Sequence, residues 1–93
     1  MTLNSCIGIV VSSKVGRDAG KIFIITGILD DNHVYISDGK RRPLEKPKKK
    51  RLKHLFFTSC VAENIRDLLN TGSIVTNSMI MSFLQSYDKN KEV

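Results

Sequence analysis

Residues 6–29 read CIGIVVSSKVGRDAGKIFIITGIL, which is two apolar stretches joined by a polar segment that contains two glycines. In the first stretch Ile7, Ile9 and Val11 alternate with smaller or polar residues, the period of a half-buried β-strand. The second stretch, Ile22–Leu29, is apolar on both faces and rich in β-branched residues, which is typical of a buried strand. The fragment therefore predicts two consecutive strands with a glycine-rich turn between them.

Two further strands are predicted, and the apolar pattern then becomes helical. A turn at residues 30–32 precedes a strand at residues 33–38, and residues 53–58 are apolar enough for a closing strand. In the strand at 33–38 the expected inward residues are Val34 and Ile36, and the expected outward residues are Tyr35 and Ser37. From Val61 the apolar residues fall at helical spacing as far as a stop signal at residues 70–72.

A second helix is predicted to begin with Thr76 as its N-cap. Residues 89–93 are expected to be a frayed polar tail. The apolar face of the helix comprises Met79, Ile80, Phe83, Leu84 and Tyr87. Such stripes are most often core, so both helices are expected to pack on the strands or on each other. The predicted fold is mainly β with α: a strongly curled sheet or partly open barrel in residues 1–58, then a C-terminal helical hairpin in residues 59–93 of the same domain.

The whole chain has 93 residues and a mass of 10.5 kDa, the size of one small domain. Fifteen Lys and Arg against nine Asp and Glu give a formal net charge of +6, so a polyanionic partner is expected. A large enzyme with separate cofactor and substrate domains is excluded. A domain this small also has little room for a deep pocket, so no small-molecule substrate is expected.

Cys6 and Cys60 are too few for a disulfide framework. We expect free, buried thiols, which favours a reducing compartment. The sequence shows no recognisable signal peptide and no apolar stretch long enough to span a bilayer. We therefore expect a cytoplasmic protein that makes no membrane contact and is a monomer in isolation.

The positive charge is concentrated in residues 40–54, which carry nine Lys and Arg and one acidic residue, Glu45. The net charge of this stretch is +8, whereas the remainder of the chain has six basic and eight acidic residues and a net charge of −2. Such a run can be a solvated loop without a specific ligand, but here Pro43 and Pro47 stiffen it. We expect an extended basic arm, which loses less entropy than a flexible tail when it binds a phosphate backbone.

Residues 16–21, Gly-Arg-Asp-Ala-Gly-Lys, do not match a nucleotide-binding loop. Such a loop needs four residues between its glycines and a Ser or Thr after its lysine, whereas this segment has three residues and then Ile22. His33, His54 and the carboxylates form no recognisable catalytic grouping, and no residues have the spacing of a metal site. We therefore expect no enzymatic activity, no cofactor and no metal.

The same segment is a candidate for presenting cations to a ligand. Its glycines permit a positive φ and a close approach of the backbone, and the cations Lys14, Arg17 and Lys21 flank them. A plain turn explains the two glycines equally well, so both interpretations stay open at this level.

Residues 8–25 resemble a KOW motif, with Gly20 in the place of its characteristic glycine. Residues 39–55, GKRRPLEKPKKKRLKHL, closely resemble the corresponding stretch of the fourteen-e family of archaeal and eukaryotic large-subunit ribosomal proteins. The short length and the helical tail are more similar to the small bacterial KOW-domain RNA-binding proteins related to that family. The resemblance implies an SH3-like β-barrel that binds ribosomal RNA, with the loop between the first two strands in contact with it.

The resemblance predicts a non-catalytic RNA-binding protein associated with the large ribosomal subunit. The alternative is a KOW-type interaction module that docks on a protein such as RNA polymerase. Tyr35 is the only outward aromatic candidate among the charges, so we expect recognition of structured RNA by shape and backbone. The predicted RNA-binding residues are Lys14, Arg17, Lys21, Lys40, Arg41, Arg42, Lys46, Lys48, Lys49, Lys50, Arg51, Lys53 and His54.

Overall fold

A computed structural model of the chain describes residues 3–91, in which five strands precede two helices. The strands are β1 (Ile9–Ser13), β2 (Ile22–Ile28), β3 (His33–Ser37), β4 (Lys48–Arg51) and β5 (Leu55–Val61). The helices are α1 (Glu63–Asn70) and α2 (Asn77–Lys91), and short 3-10 turns lie at Leu3–Cys6 and Leu52–His54. Strands followed by helices agree with the mainly β with α class that the sequence predicts.

The strands form an antiparallel sheet in the order β4-β3-β2-β1-β5. β4 has four residues, and all of them pair with β3. Within the described residues the sheet stays open, because β4 and β5 are its two edges and the 3-10 turn at residues 52–54 lies between them. The family resemblance implied an SH3-like barrel, and a sheet that does not close into a barrel corrects that expectation.

Both faces of the central strands β1 and β2 are covered, which divides the core into two clusters. The cluster shared with the helices contains Val10, Ile24, Ala62, Ile65, Ile80 and Leu84. The cluster on the opposite face contains Val11, Phe23, Ile25, Val34, Ile36 and Leu55. Val10 and Val11 are consecutive and both completely buried. The alternation in the sequence predicted that only one face of β1 is buried. That prediction is wrong, because the helices cover the face on which Val10 lies.

α2 packs on the sheet through the face that its sequence predicts. Ile80 and Leu84 are buried, and Met79, Phe83 and Tyr87 are half-buried against them. The predicted N-cap is confirmed, since the Met79 backbone N–H donates to the Thr76 Oγ1 at 3.2 Å. The helix continues to Lys91, so the frayed tail is wrong for residues 89–91, and residues 92–93 lie outside the described residues.

Two boundaries and one side chain differ from expectation for tertiary reasons. β5 extends beyond residue 58 to Val61, which pairs with Ile9 of β1, so α1 begins at Glu63 rather than at Val61. Ser37 was expected to be outward but is completely buried. It pairs with Ile24 and so faces the side of the sheet that the helices cover.

Candidate nucleic-acid interface

The loop between β1 and β2 lies against the basic stretch of the chain. The Lys14 backbone N–H donates to the His54 carbonyl oxygen at 2.8 Å. The Lys50 ammonium donates to the Val15 carbonyl oxygen at 3.2 Å. The two stretches that the sequence identifies separately therefore form one surface, which we name the basic belt (residues 14–21 and 40–54).

Asp18 lies at the centre of the contact between the two parts of the belt. Its side chain is only 6% exposed, and its Oδ2 atom accepts hydrogen bonds from the Arg42 guanidinium and the Lys48 ammonium, each at 3.3 Å. Burial by itself would raise the pKa of Asp18, but the hydrogen bonds and charges of Lys48 and Arg42 outweigh burial and hold that pKa below its ordinary value of 3.8. Asp18 is thus ionised at neutral pH and ties the loop to the basic stretch.

Gly16 and Gly20 shape the loop around Asp18. Both have φ of +84°, in the region that favours glycine, so the positive φ expected from the sequence is confirmed. The Gly20 backbone N–H donates to the Ser13 carbonyl oxygen at 2.9 Å, and the Lys21 N–H donates to the Asp18 carbonyl oxygen at 2.9 Å. The loop is therefore a compact, internally hydrogen-bonded turn.

The second half of the basic stretch is a strand rather than an extended arm. Residues 48–51 form β4 and pair with β3 along their whole length. Because successive side chains of a strand point to opposite faces, Lys48 and Lys50 lie towards the loop, whereas Lys49 and Arg51 lie on the other face. The extended arm predicted from the sequence is here a paired strand, because pairing with β4 satisfies backbone groups of β3 that would otherwise form an open edge.

The predicted RNA-binding residues divide into two groups by exposure. The half-buried group comprises Arg42, Lys48, Lys50 and His54. The exposed group comprises Lys14, Arg17, Lys21, Lys40, Arg41, Lys46, Lys49, Arg51 and Lys53. Arg42 and Lys48 are paired with Asp18, which makes them less available to phosphate than their sequence context suggests. Sequence reasoning misses Asp18 itself, and the only signal for it is one acidic residue in an otherwise basic loop.

His54 lies in a strongly positive part of the belt. Partial burial, and then the nearby positive charges, lower the pKa of His54 below its ordinary value of 6.5. Those charges belong to Lys53, Lys50, Arg51 and Lys14. The imidazole is therefore neutral at pH 7, so it contributes a hydrogen-bonding group to the surface and no charge.

β5 carries two exposed phenylalanines beside the belt. Phe56 is 61% exposed and Phe57 is 44% exposed. The Lys14 ammonium lies 4.6 Å from the centroid of the Phe56 ring, which is a cation–π contact. The expectation that Tyr35 is the only outward aromatic is therefore wrong, because β5 is an edge strand and leaves its first residues accessible.

An open cleft of about 390 Å³ lies between one end of the belt and α2. Lys21 and Lys40 line it from the belt, but Asp38 and Asp88 line it as well. The opposite charges offset each other, so the cleft has no electrostatic preference for an anionic ligand.

The described part of the chain offers little for other chemistry. Among residues 3–91, no group of three or more His, Cys, Asp or Glu side chains is placed to hold a metal ion. In the same residues, neither helix is long and apolar enough to cross a membrane. Cys6 and Cys60 are free thiols, but they are half-buried rather than buried as expected.

No model of a known protein family matches this chain. Over 64 residues it is 32% identical to the "Putative ribosome-binding protein YbzG" of Bacillus subtilis (strain 168), and the match covers 69% of this chain and 86% of that protein. This chain belongs to the family of that protein. The relative is named for binding the ribosome, whereas the resemblance to KOW-motif proteins stays a prediction.

Proposed function

We propose that this protein binds the ribosome by contacting RNA of the large subunit through the basic belt, without catalysing a reaction. The observation that carries the proposal is that the β1–β2 loop and the basic stretch form one cation-rich surface. The ribosome-binding name of its relative supports the choice of partner. In this proposal the chain is a cytoplasmic KOW-domain protein.

The belt suits a folded RNA because its cations are held in place before binding. β3 fixes the backbone of β4, and Asp18 fixes the loop, so less conformational entropy is lost when phosphates bind. Each Lys or Arg that neutralises a phosphate also releases counterions from the RNA. Double-stranded RNA is recognised mainly through its phosphates and 2′-hydroxyls, which such a surface can contact without reading sequence.

Co-sedimentation with purified ribosomal subunits at low salt tests this proposal. We expect the protein to sediment with the large subunit, to stay in the supernatant with the small subunit, and to be released when nuclease digests the RNA. If the protein instead binds RNA polymerase and neither subunit, the docking-module alternative applies and the proposal is wrong.

Salt dependence tests the electrostatic mechanism separately. If roughly five phosphates are neutralised, the log–log slope of affinity against salt should be about −3.5 to −4.5. Affinity for the large subunit should then fall more than about a hundredfold between about 50 and 200 mM salt. A flat response would contradict binding through the phosphate backbone.

A further inference from the structure

Phe56 is 61% exposed near the start of the edge strand β5. Unlike Tyr or Trp, Phe has no polar group that hydrogen-bonds to water, so exposure of its ring is unfavourable. Single exposed apolar side chains are nonetheless common, and Ile74 is 84% exposed in this protein. What distinguishes Phe56 is the lysine ammonium that lies against its ring.

One cation, Lys14, lies against this ring. The Lys14 ammonium lies 4.6 Å from the ring centroid, and hydrogen bonding of the Lys14 backbone to His54 keeps that lysine beside β5. Phe56 pairs with Ser12 of β1, so its side chain lies on the same face as that of Lys14, two residues further along the chain. Exposed Lys53 precedes the strand. Aromatic rings bordered by cations are how proteins bind unpaired nucleotides, because the base stacks and the cation contacts the phosphate.

We infer that Phe56 is a stacking platform for an unpaired nucleobase of RNA and that Lys14 contacts the phosphate of the same nucleotide. The inference rests on the proposed function and narrows its target to an RNA with a loop or bulge, rather than a continuous helix. Lys14 is exposed and a lysine side chain has several rotatable bonds, so its ammonium can move from the ring to the phosphate when a base binds. Its contact with the ring is weak at an exposed position and opposes stacking little.

The positive charge of the surroundings favours RNA over an apolar protein segment as the occupant. A protein strand added to the edge of β5 would bring its own backbone close to Lys14 and Lys53 without supplying negative charge. A nucleotide supplies a π-face for the ring and a phosphate for the cations together. Phe56 therefore adds a base-stacking contact to the ionic contacts of the basic belt.

Phe57 provides a matched control in the same strand. It is the same residue type and is 44% exposed. It pairs with Val11, whereas Phe56 pairs with Ser12, so the two rings lie on opposite faces of the sheet. A substitution at Phe57 thus reproduces the loss of an exposed ring without affecting the surface beside Lys14.

The chain contains no tryptophan, so Phe56→Trp and Phe57→Trp each introduce a single indole fluorophore. Each variant is titrated with an RNA hairpin that has an all-adenosine loop and with a fully paired RNA duplex of the same stem sequence. Stacking on a base quenches indole emission, so the hairpin should quench Phe56→Trp and leave Phe57→Trp unquenched. The duplex should quench neither variant. Circular dichroism and thermal unfolding establish that each variant is folded.

Affinities measured with alanine variants complete the test. Phe56→Ala should weaken binding to the hairpin by about tenfold, the order expected when one base–aromatic stack is lost, and leave binding to the duplex unchanged. Phe57→Ala should change neither affinity. Wild-type affinity of Phe56→Ala for the hairpin, or an equal loss for hairpin and duplex, would overturn the stacking inference.

Two outcomes separate this inference from the proposed function. If Phe56→Ala fails to sediment with ribosomes but binds the hairpin normally, Phe56 contacts a ribosomal protein and the stacking inference is wrong, although ribosome binding stands. If the wild-type protein binds neither RNA nor the ribosome, the proposed function is wrong and the inference is wrong with it.

Discussion

The two halves of the basic stretch, residues 40–47 and residues 48–54, are both rich in Lys and Arg but have very different structures. The first half is a loop held against α2, because the Asn77 side chain accepts a hydrogen bond from the Leu44 N–H at 2.7 Å and donates one to Glu45 at 2.9 Å. The second half is strand β4 and a 3-10 turn. The loop half lies near Asp38 and contains Glu45, whereas the strand half lies beside Lys14 and leads into Phe56.

This difference shows that a run of charge does not reveal how its cations are constrained. Pro43 and Pro47 suggested a stiff arm, yet both lie in the loop half. The strand half is fixed by its pairing with β3 instead. Asp18 connects the halves, since it binds Arg42 in one and Lys48 in the other. The belt is therefore one surface with two different supports.

The largest expected effect is on RNA affinity, when three exposed cations are removed from one half of the basic stretch or from the other. The strand variant is Lys49→Ala, Arg51→Ala and Lys53→Ala; the loop variant is Lys40→Ala, Arg41→Ala and Lys46→Ala. The strand variant should bind RNA about a hundredfold more weakly, with a salt slope smaller by about three. The loop variant should lose less affinity for RNA, because nearby acidic side chains already reduce the positive electrostatic potential of the loop half. Fluorescence anisotropy with a labelled large-subunit RNA fragment measures both.

Both triple variants carry the same change in charge, so each is a control for the other. All six side chains are exposed, and the thermal midpoints should stay close to that of the wild type. Equal losses of affinity would show that RNA contacts the two halves alike and that the distinction between them has no functional meaning.

Asp18→Asn should break the connection between the halves. An amide cannot pair ionically with Arg42 and Lys48, so we expect the free energy of unfolding to fall by about 1 to 2 kcal/mol, which urea denaturation measures. The pKa of Asp18 is lowered in the folded state, so its stabilising contribution is complete above the ordinary value of 3.8 and is lost as the pH falls through the lowered value. The difference in stability between wild type and variant should therefore shrink in acid.

Asp31→Asn is the matched control for this variant. Asp31 is exposed in the turn before β3, and its substitution changes the net charge by the same amount. We expect its stability to stay within about 0.5 kcal/mol of the wild type at every pH tested. A difference for Asp18→Asn that persists unchanged at low pH would show that the carboxylate charge is not what stabilises the loop.

Local signals predict much of this fold. β2, α2 and its N-cap follow from periodicity and capping, and the positive φ of Gly16 and Gly20 follows from the turn. β4 is not predicted by local signals, since Lys is disfavoured in strands. Residues 48–51 form a strand because they pair with the edge of β3. Burial of the Val10 face of β1 likewise depends on helices that lie more than 50 residues away in the chain.

The site is less predictable than the fold, because its key contacts join distant parts of the chain. Asp18 meets Arg42 across 24 positions and Lys48 across 30, and both contacts depend on how the β1–β2 loop lies over β4. The sequence identifies the cations as a group and does not distinguish those that pair with Asp18 from the others. The sequence also does not reveal that Phe56 is exposed, because it lies in an apolar run and only the strand order places that run at an edge of the sheet.

Asn77→Ala should have the smallest effect, because it releases only the loop half. It removes the acceptor for the Leu44 N–H and the donor to Glu45, and we expect a loss of about 0.5 to 1 kcal/mol. Glu45→Ala removes only the second, exposed contact and should cost less. Hydrogen exchange then distinguishes the halves: protection should fall at Leu44 and stay unchanged in β4. If β4 also loses protection, the two halves open together, and the loop against α2 would be a support of the strand as well.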